Sequence, residues 1–482
     1  MHAPPATARE NQVPLAVDLD GTLIRSDMLW ESVVRLLRQS PLAALAIPFW
    51  WLQGRAHLKQ QLAARVRVDP ASLPYNEEFL AWLKEQKRGG RRLILATASD
   101  LAMAQPVADY LGLFDEVMAS NGKTNLRHAA KLRALTEKFG ERGFDYAGNS
   151  SVDLGVWSGT REAIVVFGTN GLAHRAAQQT KVGKVFPARP SVFAALVKSL
   201  RPHQWVKNLI VFLPVIASHR LTFWPLLSAS GAFVAFCLCA SGVYLLNDLM
   251  DLDADRRHPT KRGRPLAAGA LPLSVGLVAA PVLLLFSGIV AWQVTTDLVW
   301  LLALYLVATT AYSWHFKRVA LLDVFILAGL YTSRLIAGHV VTGIEYSAWL
   351  LMFSMFIFLS LALMKRFQEL HSVRQQKGHE IKGRGYTAGD LELVTTLGLV
   401  SGFIAVLVMA LYVNSEQVVK IYAHPTLLLL VCPLLLYWIS RVWFLAHRGQ
   451  MHDDPVAFAF KDWASYLIGA LTLVVMWLAT GH

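Results

Sequence analysis

The sequence predicts two architectures in one chain. An α/β domain with a helical cap comes first, and an all-α polytopic membrane domain of about nine transmembrane helices follows. Three observations predict this. Up to about residue 185, short apolar runs alternate with helical patterns, and each run ends in a polar cluster, as in a parallel sheet with its sites at the strand ends. Beyond about residue 200, apolar stretches of roughly 20 residues succeed one another, the length a helix needs to cross a hydrocarbon core. The composition over 482 residues, 54% hydrophobic and 16% charged, is too apolar for an ordinary soluble protein.

Charge narrows the partners. The net charge of +13 is concentrated in loops between apolar segments, which favours anionic headgroups and phosphate substrates over nucleic acid. No basic stretch is interleaved with stacking aromatics outside membrane-like surroundings, so no nucleic-acid partner is expected. Cys237, Cys239 and Cys432 lie in apolar stretches and read as buried thiols rather than a metal pair or a disulfide framework. Residues 1–12 have no basic-then-apolar signal pattern and read as a disordered tail, which leaves the next domain in the cytoplasm.

In the domain at 13–185, residues 13–17 form a buried-strand pattern ending in Asp18-Leu19-Asp20-Gly21-Thr22. A second strand at 92–96 leads to Thr97. A third at 144–147 leads to Gly148-Asn149-Ser150-Ser151-Val152-Asp153, and 164–167 is a further candidate. Residues 79–87 and 129–139 have helical patterns. The residue types suit phosphoryl transfer. Asp18 can attack phosphorus, and Asp20 can protonate the leaving oxygen and then activate water. Thr97 and Lys131 can hold the phosphate, and Asp153 can complete a Mg²⁺ site with Asp18 and the Asp20 backbone.

These four motifs together resemble the haloacid dehalogenase (HAD) phosphatase superfamily, which implies a Rossmann-like sheet, with residues 26–74 as its cap. Residues 41–53 are unusually apolar for a cap, as if lying on a membrane or on the other domain. One departure is Asn149, where the fourth motif often has Asp. Asn149 offers a neutral oxygen to the metal, so an inactive regulatory domain stays open as an alternative. Lys123 competes with Lys131 for the third motif. Lys131 is preferred because it opens the helix before the last motif strand.

Residues 186–202 read as a Pro-punctuated linker and interfacial helix, and 203–482 as the membrane domain. Spans are expected at 203–218, 223–246, 271–292, 297–314, 320–341, 346–364, 390–412, 424–446 and 461–480. The even-numbered loops carry most of the bases. That places them and the N-terminal domain in the cytoplasm and the C-terminus outside.

The polar centre of this domain is the stretch 247–269. Asn247, Asp248, Asp251 and Asp255 are spaced by three and four and share one face of a helix end. Such hard oxygen ligands suit Mg²⁺ carrying a substrate diphosphate. Arg256, Arg257, Lys261, Arg262 and Arg264 offer a cationic rim. Tyr312, Lys317 and Asp323 surround a later turn. Arg334, eleven residues beyond Asp323, is expected to pair near Asp323 or to bind an anionic headgroup. Lys207 reads either as an interfacial anchor or as an inward phosphate ligand. Lys365 and Glu369 read as an i, i+4 pair, with Arg366 beside them. Residues 382–386, a Gly-flanked basic loop, read either as a phosphate cover or as a plain loop.

Asn247-Asp248-x-x-Asp251-x-x-x-Asp255 and the acidic site near Asp323 resemble the UbiA superfamily of intramembrane transferases. Finer signatures are similar to its decaprenyl-phosphate phosphoribosyltransferases: Arg201-Pro-x-Gln-Trp-x-Lys207-Asn, Asp255-x-x-His258-Pro-Thr-Lys-x-x-Arg264-Pro, Tyr312 with Lys317, and Lys365-Arg366-x-x-Glu369. That resemblance implies a bacterial cytoplasmic-membrane enzyme using Mg²⁺ in both domains. Its donor would be phosphoribosyl diphosphate and its acceptor a polyprenyl phosphate. The HAD domain would then remove the ribose 5-phosphate, and the lipid would serve cell-envelope (arabinan-type) glycan synthesis. Two rivals remain at this point: an aromatic-acceptor prenyltransferase, and a transferase with an inactive HAD module.

Overall fold

In a computed structural model of the chain, the described residues are 13–120, 126–127, 129–375, 384–415, 418, 422–451 and 454–480. Lys123 and Lys382, both singled out above, lie outside them. The chain divides into two compact units. One is Met1–Leu200 with Tyr244–Ala279, and the other is Arg201–Val243 with Ala280–His482.

The first unit is built on six parallel strands: β1 (Leu15–Val17), β2 (Leu93–Asp100), β3 (Glu116–Ser120), β4 (Asp145–Gly148), β5 (Glu162–Val165) and β6 (Lys181–Val185). Their order is β3-β2-β1-β4-β5-β6. Val17 sits level with Leu95 on one side and Ala147 on the other. β1 and β4 flank the point where the chain reverses its direction of sheet growth, and the crevice beyond their carboxyl ends is where such folds place ligands. The apolar runs are buried on both faces, as a sheet covered by helices requires. β3 and β6 were not anticipated. Both are edge strands with charged or half-exposed residues, so neither has a continuous apolar run. Between β1 and β2 the cap is helical, with helices Met28–Gln39, Pro41–Ala44, Ile47–Leu52 and Arg55–Arg65.

The stretch 247–269, read from sequence as part of the membrane domain, instead packs with the N-terminal residues. Side-chain chemistry explains it. Glu31 of the cap is fully buried, and its carboxylate accepts from Arg35 at 2.6 Å and from Arg256 at 2.7 and 3.0 Å. Arg35 also donates to Asp253 at 2.6 Å and to Ser72 at 2.8 Å. Arg256 closes the cluster on the carbonyls of Ala267 and Ser72. Gly269 has φ +69°, and a Cβ there would lie 2.6 Å from Arg25 Cβ.

Seven helices among the described residues are long and apolar enough to cross a membrane: Phe223–Met250, Leu273–Val294, Thr296–Trp314, Leu322–Thr342, Ala348–Gln375, Ala388–Val413 and Pro425–His447. The last expected span is present as a shorter apolar helix, Trp463–Ala479. The first expected span, at 203–218, is different in kind. It is a 3₁₀ segment, Pro202–Phe212, followed by one short α-turn, Leu213–Ala217. Pro214 lacks the N–H that would bond to residue 210, so a continuous α ladder cannot run through it. The backbone of this segment lies against the helix Leu322–Thr342 at Gly338, where a Cβ would meet the Val211 carbonyl at 2.2 Å. Other helices meet through small residues in the same way. A Cβ on Gly398 would lie 2.2 Å from the Trp443 ring, whose Nε1 donates to Ser360 Oγ.

Candidate active sites

The carboxyl ends of β1, β2 and β4 bring the phosphoryl-transfer candidates of the first unit together. Asp18 follows β1. Its Oδ1 accepts from Lys131 Nζ at 2.8 Å. Lys131, in the first turn of helix Ala129–Phe139, also donates to the Tyr146 hydroxyl at 2.8 Å. Tyr146 in turn donates to Asp153 Oδ1 at 3.1 Å. The other Asp153 oxygen accepts from the backbone N–H groups of Asn149 and Ser150, each at 2.9 Å. That pairing shapes the loop after β4. Asp20 accepts from the Met28 N–H at 2.8 Å and from Ser99 Oγ at 2.6 Å. Thr97 is fully buried, and its hydroxyl accepts from the Ser99 N–H at 3.0 Å. Asn149 Oδ1 accepts from Thr22 at 3.3 Å. Gly21 has φ +78°, and a Cβ there would lie 2.5 Å from the Asn149 amide, so both the turn and the close approach call for glycine. Tyr146 and Ser99 escaped the sequence reading. Tyr146 looked like one more apolar residue of a buried strand.

Burial raises the Asp18 carboxyl to about 6, with Asp153 and Asp20 adding to the rise and Lys131 opposing it. Burial also raises Asp20 to about 6, with Asp27 adding to it. Crowded oxygens that resist ionisation are the donor set a hard divalent cation relieves. No group of three or more His, Cys, Asp or Glu among the described residues forms a ready metal cage. Asp18, Asp153 and the Asp20 backbone are the oxygens that could hold Mg²⁺, which usually takes one or two carboxylates and completes its shell with water and substrate phosphate.

The 247–255 acids are arranged differently from expectation. Arg264, expected to face phosphate, bridges two of them, reaching Asp248 at 2.9 Å and Asp255 at 2.6 Å. Asp255 is buried, and burial raises its carboxyl despite Arg264. Asn247 and Asp251 are partly exposed, and Asp251 makes no side-chain cap on the short helix Leu252–Arg257 that it precedes. The oxygens still fit a hard cation, with Asn247 and Asp251 the more open donors. Arg257, also expected to bind substrate, pairs with Asp69 of the cap at 2.7 Å. Lys261 and Arg262 are exposed.

In the second unit the remaining candidates form two groups. Asp323 is fully buried between arginines. Arg366 Nε lies 3.0 Å from it, Arg384 Nη1 3.7 Å, and the Tyr386 hydroxyl donates to it at 2.6 Å. Arg384 also donates to the Tyr312 hydroxyl at 2.8 Å. Asp323 therefore has its charge answered within the protein. Lys317 is half-exposed in the turn Phe316–Arg318. The pairing expected between Lys365 and Glu369 does not form. Glu369 bonds to Arg366 instead, three residues away.

Lys365 turns to Asp454, 3.1 Å away, and the buried Lys207 reaches the same carboxylate at 3.1 Å. Lys207 Nζ and the Arg334 guanidinium lie 5.7 and 5.5 Å from the Tyr331 ring centre. Arg334 does not pair with Asp323. It donates to Asn208 Oδ1 at 2.7 Å and to the Tyr305 hydroxyl at 3.0 Å. Burial alone would raise the Asp454 carboxyl, but Lys365 and Lys207 outweigh it and hold it far below the usual carboxylate range. Asp454 was missed from the sequence. The available signal was its place before Pro455, where it caps a short helix by accepting from the Val456 N–H.

A parallel-sheet domain with acidic residues at its switch point, together with a bundle of apolar helices, defines an integral membrane protein that carries an α/β domain. The chain belongs to the UbiA prenyltransferase family, which it matches over residues 209–465. Residues 15–156 match the haloacid dehalogenase-like hydrolases. An uncharacterized protein of Sinorhizobium fredii, y4nM, is 37% identical over 96% of this chain and 90% of its own length. The nodulation protein NoeC of Azorhizobium caulinodans is 36% identical over 57% of this chain and 89% of its own. A decaprenyl-phosphate phosphoribosyltransferase of Mycobacterium tuberculosis is 39% identical over 43% of this chain and 70% of its own. Among solved structures, a UbiA homolog from Archaeoglobus fulgidus bound to GPP and Mg²⁺ is 14% identical, with a TM-score of 0.45 over 60% of this chain and 100% of that one.

Proposed function

We propose that the membrane domain transfers 5-phosphoribose from phosphoribosyl diphosphate to a polyprenyl phosphate, and that the HAD-like domain then removes the 5-phosphate. The product would be a polyprenylphosphoryl-ribose, a pentose donor for cell-envelope glycans. One observation carries the choice of acceptor. Lys207 and Lys365 both reach the Asp454 carboxylate, and Lys207 and the Arg334 guanidinium both lie beside the Tyr331 ring. Cations gathered in this way can bind a lipid phosphate, a group that an aromatic acceptor does not carry. The likeness to the mycobacterial decaprenyl-phosphate phosphoribosyltransferase supports a polyprenyl phosphate acceptor and transfer of a phosphoribosyl group.

In the first step a lipid phosphate oxygen attacks the anomeric carbon of ribose, and the bond to diphosphate breaks, diphosphate leaving with the electron pair. Asp251 and Asn247, with the Arg264-bridged Asp248 and Asp255, would hold the Mg²⁺ that neutralises the departing diphosphate. Lys207 and Lys365 would hold the acceptor phosphate. In the second step an Asp18 oxygen attacks the phosphorus of the 5-phosphate while Asp20 protonates the departing ribose oxygen. Asp20 then takes a proton from the water that hydrolyses the aspartyl phosphate. Lys131 neutralises charge on the phosphoryl oxygens. Mg²⁺, when bound, supplies further neutralisation of phosphate charge in both sites. The loop charges support both sites facing the cytoplasm of a bacterial inner membrane, where the soluble donor resides.

The test is direct. Purified full-length protein receives Mg²⁺, phosphoribosyl diphosphate and a polyprenyl phosphate, and lipids are read by mass spectrometry. Ribosylated lipid is expected, and its absence under every metal condition rejects the transferase assignment. Asp18→Asn is expected to transfer normally and to accumulate the phosphorylated lipid. Normal phosphate release by that variant rejects the second step.

A further inference from the structure

We propose that Pro41–Leu52 of the cap is an in-plane membrane anchor, seated in the lipid surface of the bilayer that the chain's own spans cross. The segment comprises helices Pro41–Ala44 and Ile47–Leu52, and the joining residues Leu45 and Ala46 keep right-handed helical backbone angles. It therefore runs as one nearly continuous helical stretch. Its inner side is apolar and used. Ala44 is buried in the first unit's main core, with Ala43, Ile47 and Trp50 packed against that core. Its outer side is equally apolar and bare. Leu42, Leu45, Phe49 and Leu52 follow at intervals of three, four and three, so they share one face, and they are 83%, 69%, 66% and 83% exposed. No charged residue occurs from 41 to 53. A water-facing helix of a soluble domain carries a polar side, and this one has none.

Lipid, rather than a second protein, is the occupant that the rest of the unit favours. The same unit contains the ends of two membrane-spanning helices, residues 244–250 and 273–279. Leu277, from the span Leu273–Val294, packs against the very core on which Ala44, Ile47 and Trp50 sit. The bare face thus belongs to a body whose core already continues into a membrane span. Trp50 lies at the border, with the exposed Arg65 guanidinium 4.8 Å from its ring centre. Tryptophan beside arginine is the pairing that membrane interfaces select, apolar ring inward and cation toward headgroups. The inference holds whatever either site catalyses.

The experiment uses the full chain in nanodiscs of phosphatidylethanolamine and phosphatidylglycerol. Cys237, Cys239 and Cys432 are replaced by alanine, and a spin label is placed by Leu42→Cys, Phe49→Cys or Leu52→Cys. Glu78→Cys, on an exposed polar helix of the same domain, is the control. Collision rates with oxygen and with a water-soluble nickel chelate are compared. The oxygen-to-nickel ratio is expected to be several-fold higher at the three anchor positions than at the control. A ratio equal to the control puts the segment in water and overturns the proposal. Shielding from both reagents means that protein covers it, a second copy or another partner, and also overturns it. The unmodified chain provides an independent readout through a photoactivatable phospholipid. Lipid adducts are expected on residues 41–53, and adducts confined to the spans reject the anchor.

Discussion

At the residue scale, the two sites handle charge in opposite ways, and this separates their mutational signatures. The HAD-like site crowds carboxylates around one lysine, whereas the membrane site crowds cations around Asp454. Removing Lys131 takes away the cation that pairs with Asp18, the one that the proposed function sets against the phosphoryl oxygens. Lys131→Met is expected to cut hydrolysis of the phosphorylated lipid by about 10²-fold or more while leaving transfer intact, as initial rates of the two steps will tell. In the proposed function Lys365 holds the acceptor phosphate, and Lys365→Met tests it. A hydrogen bond to a charged group is worth about 1.5–3 kcal/mol, so KM for the lipid phosphate is expected to rise by about ten-fold or more with KM for the soluble donor little changed. An equal rise in both would place Lys365 away from the acceptor. Asp18, Asp20, Thr97 and Lys131 were legible because each stands at a strand end or helix start that local apolar patterning marks. Asp454 was not, because what gives it meaning is Lys365, 89 residues away in sequence, and Lys207, further still. Arg264 was legible as a cation but not as the partner of Asp248 and Asp255, since spacing alone does not say whether a base faces a ligand or its own acids.

At the element scale, the cap helix Met28–Gln39 touches both chemistries. Its first N–H is held by Asp20, and one turn further on Glu31 holds Arg256. Glu31→Ala would leave Arg35 and Arg256 buried without their shared carboxylate, a change that typically costs about 3–5 kcal/mol. A lower thermal midpoint is expected, and Glu31→Gln should fall between. The acid dependence has a definite sign. Burial favours the neutral Glu31 carboxyl, but Arg256 and Arg35 more than offset it and depress the folded-state value below the usual one. Stability from this group is therefore fully present above the ordinary glutamate range near ~4.3 and is lost as pH falls through the depressed value. Thermal melts of wild type are expected to lose more than those of Glu31→Gln on descending below about pH 4. The 3₁₀ segment Pro202–Phe212 gives a second element-scale prediction. Gly338→Ala drives a methyl into the Val211 carbonyl, and such overpacking costs about 1–3 kcal/mol, so melts in detergent should shift downward. The helical spans were legible from apolar length alone. This segment was not, because its apolar content matches a span while Pro202, Pro214 and the close approach at Gly338 decide its backbone.

At the scale of the whole molecule, the chain parts after Leu200, inside the stretch 186–202 read as a linker, but Tyr244–Ala279 groups with the N-terminal residues. The fold class was readable, since strand–helix alternation and apolar length are local signals. The regrouping of Tyr244–Ala279 with the N-terminal residues was not, because it rests on ion pairs such as Arg256 with Glu31, 225 residues apart. Deleting residues 1–200 should therefore do more than remove a hydrolase. It takes away Glu31, Arg35 and Asp69, the partners that hold Asp253, Arg256 and Arg257. Transfer activity is expected to fall together with phosphatase activity. Retention of full transfer would show that the 247–257 stretch keeps its shape unaided.

The Glu31 cluster also bears on how such chains can be recombined. Two relatives could exchange N-terminal halves at the linker and keep every strand and span intact, yet still join a foreign Glu31 and Arg35 to a loop that evolved against others. The interchangeable part is discontinuous, residues 1–200 with 244–279, and chimeras cut along that boundary should tolerate exchange where simple fusions at the linker fail.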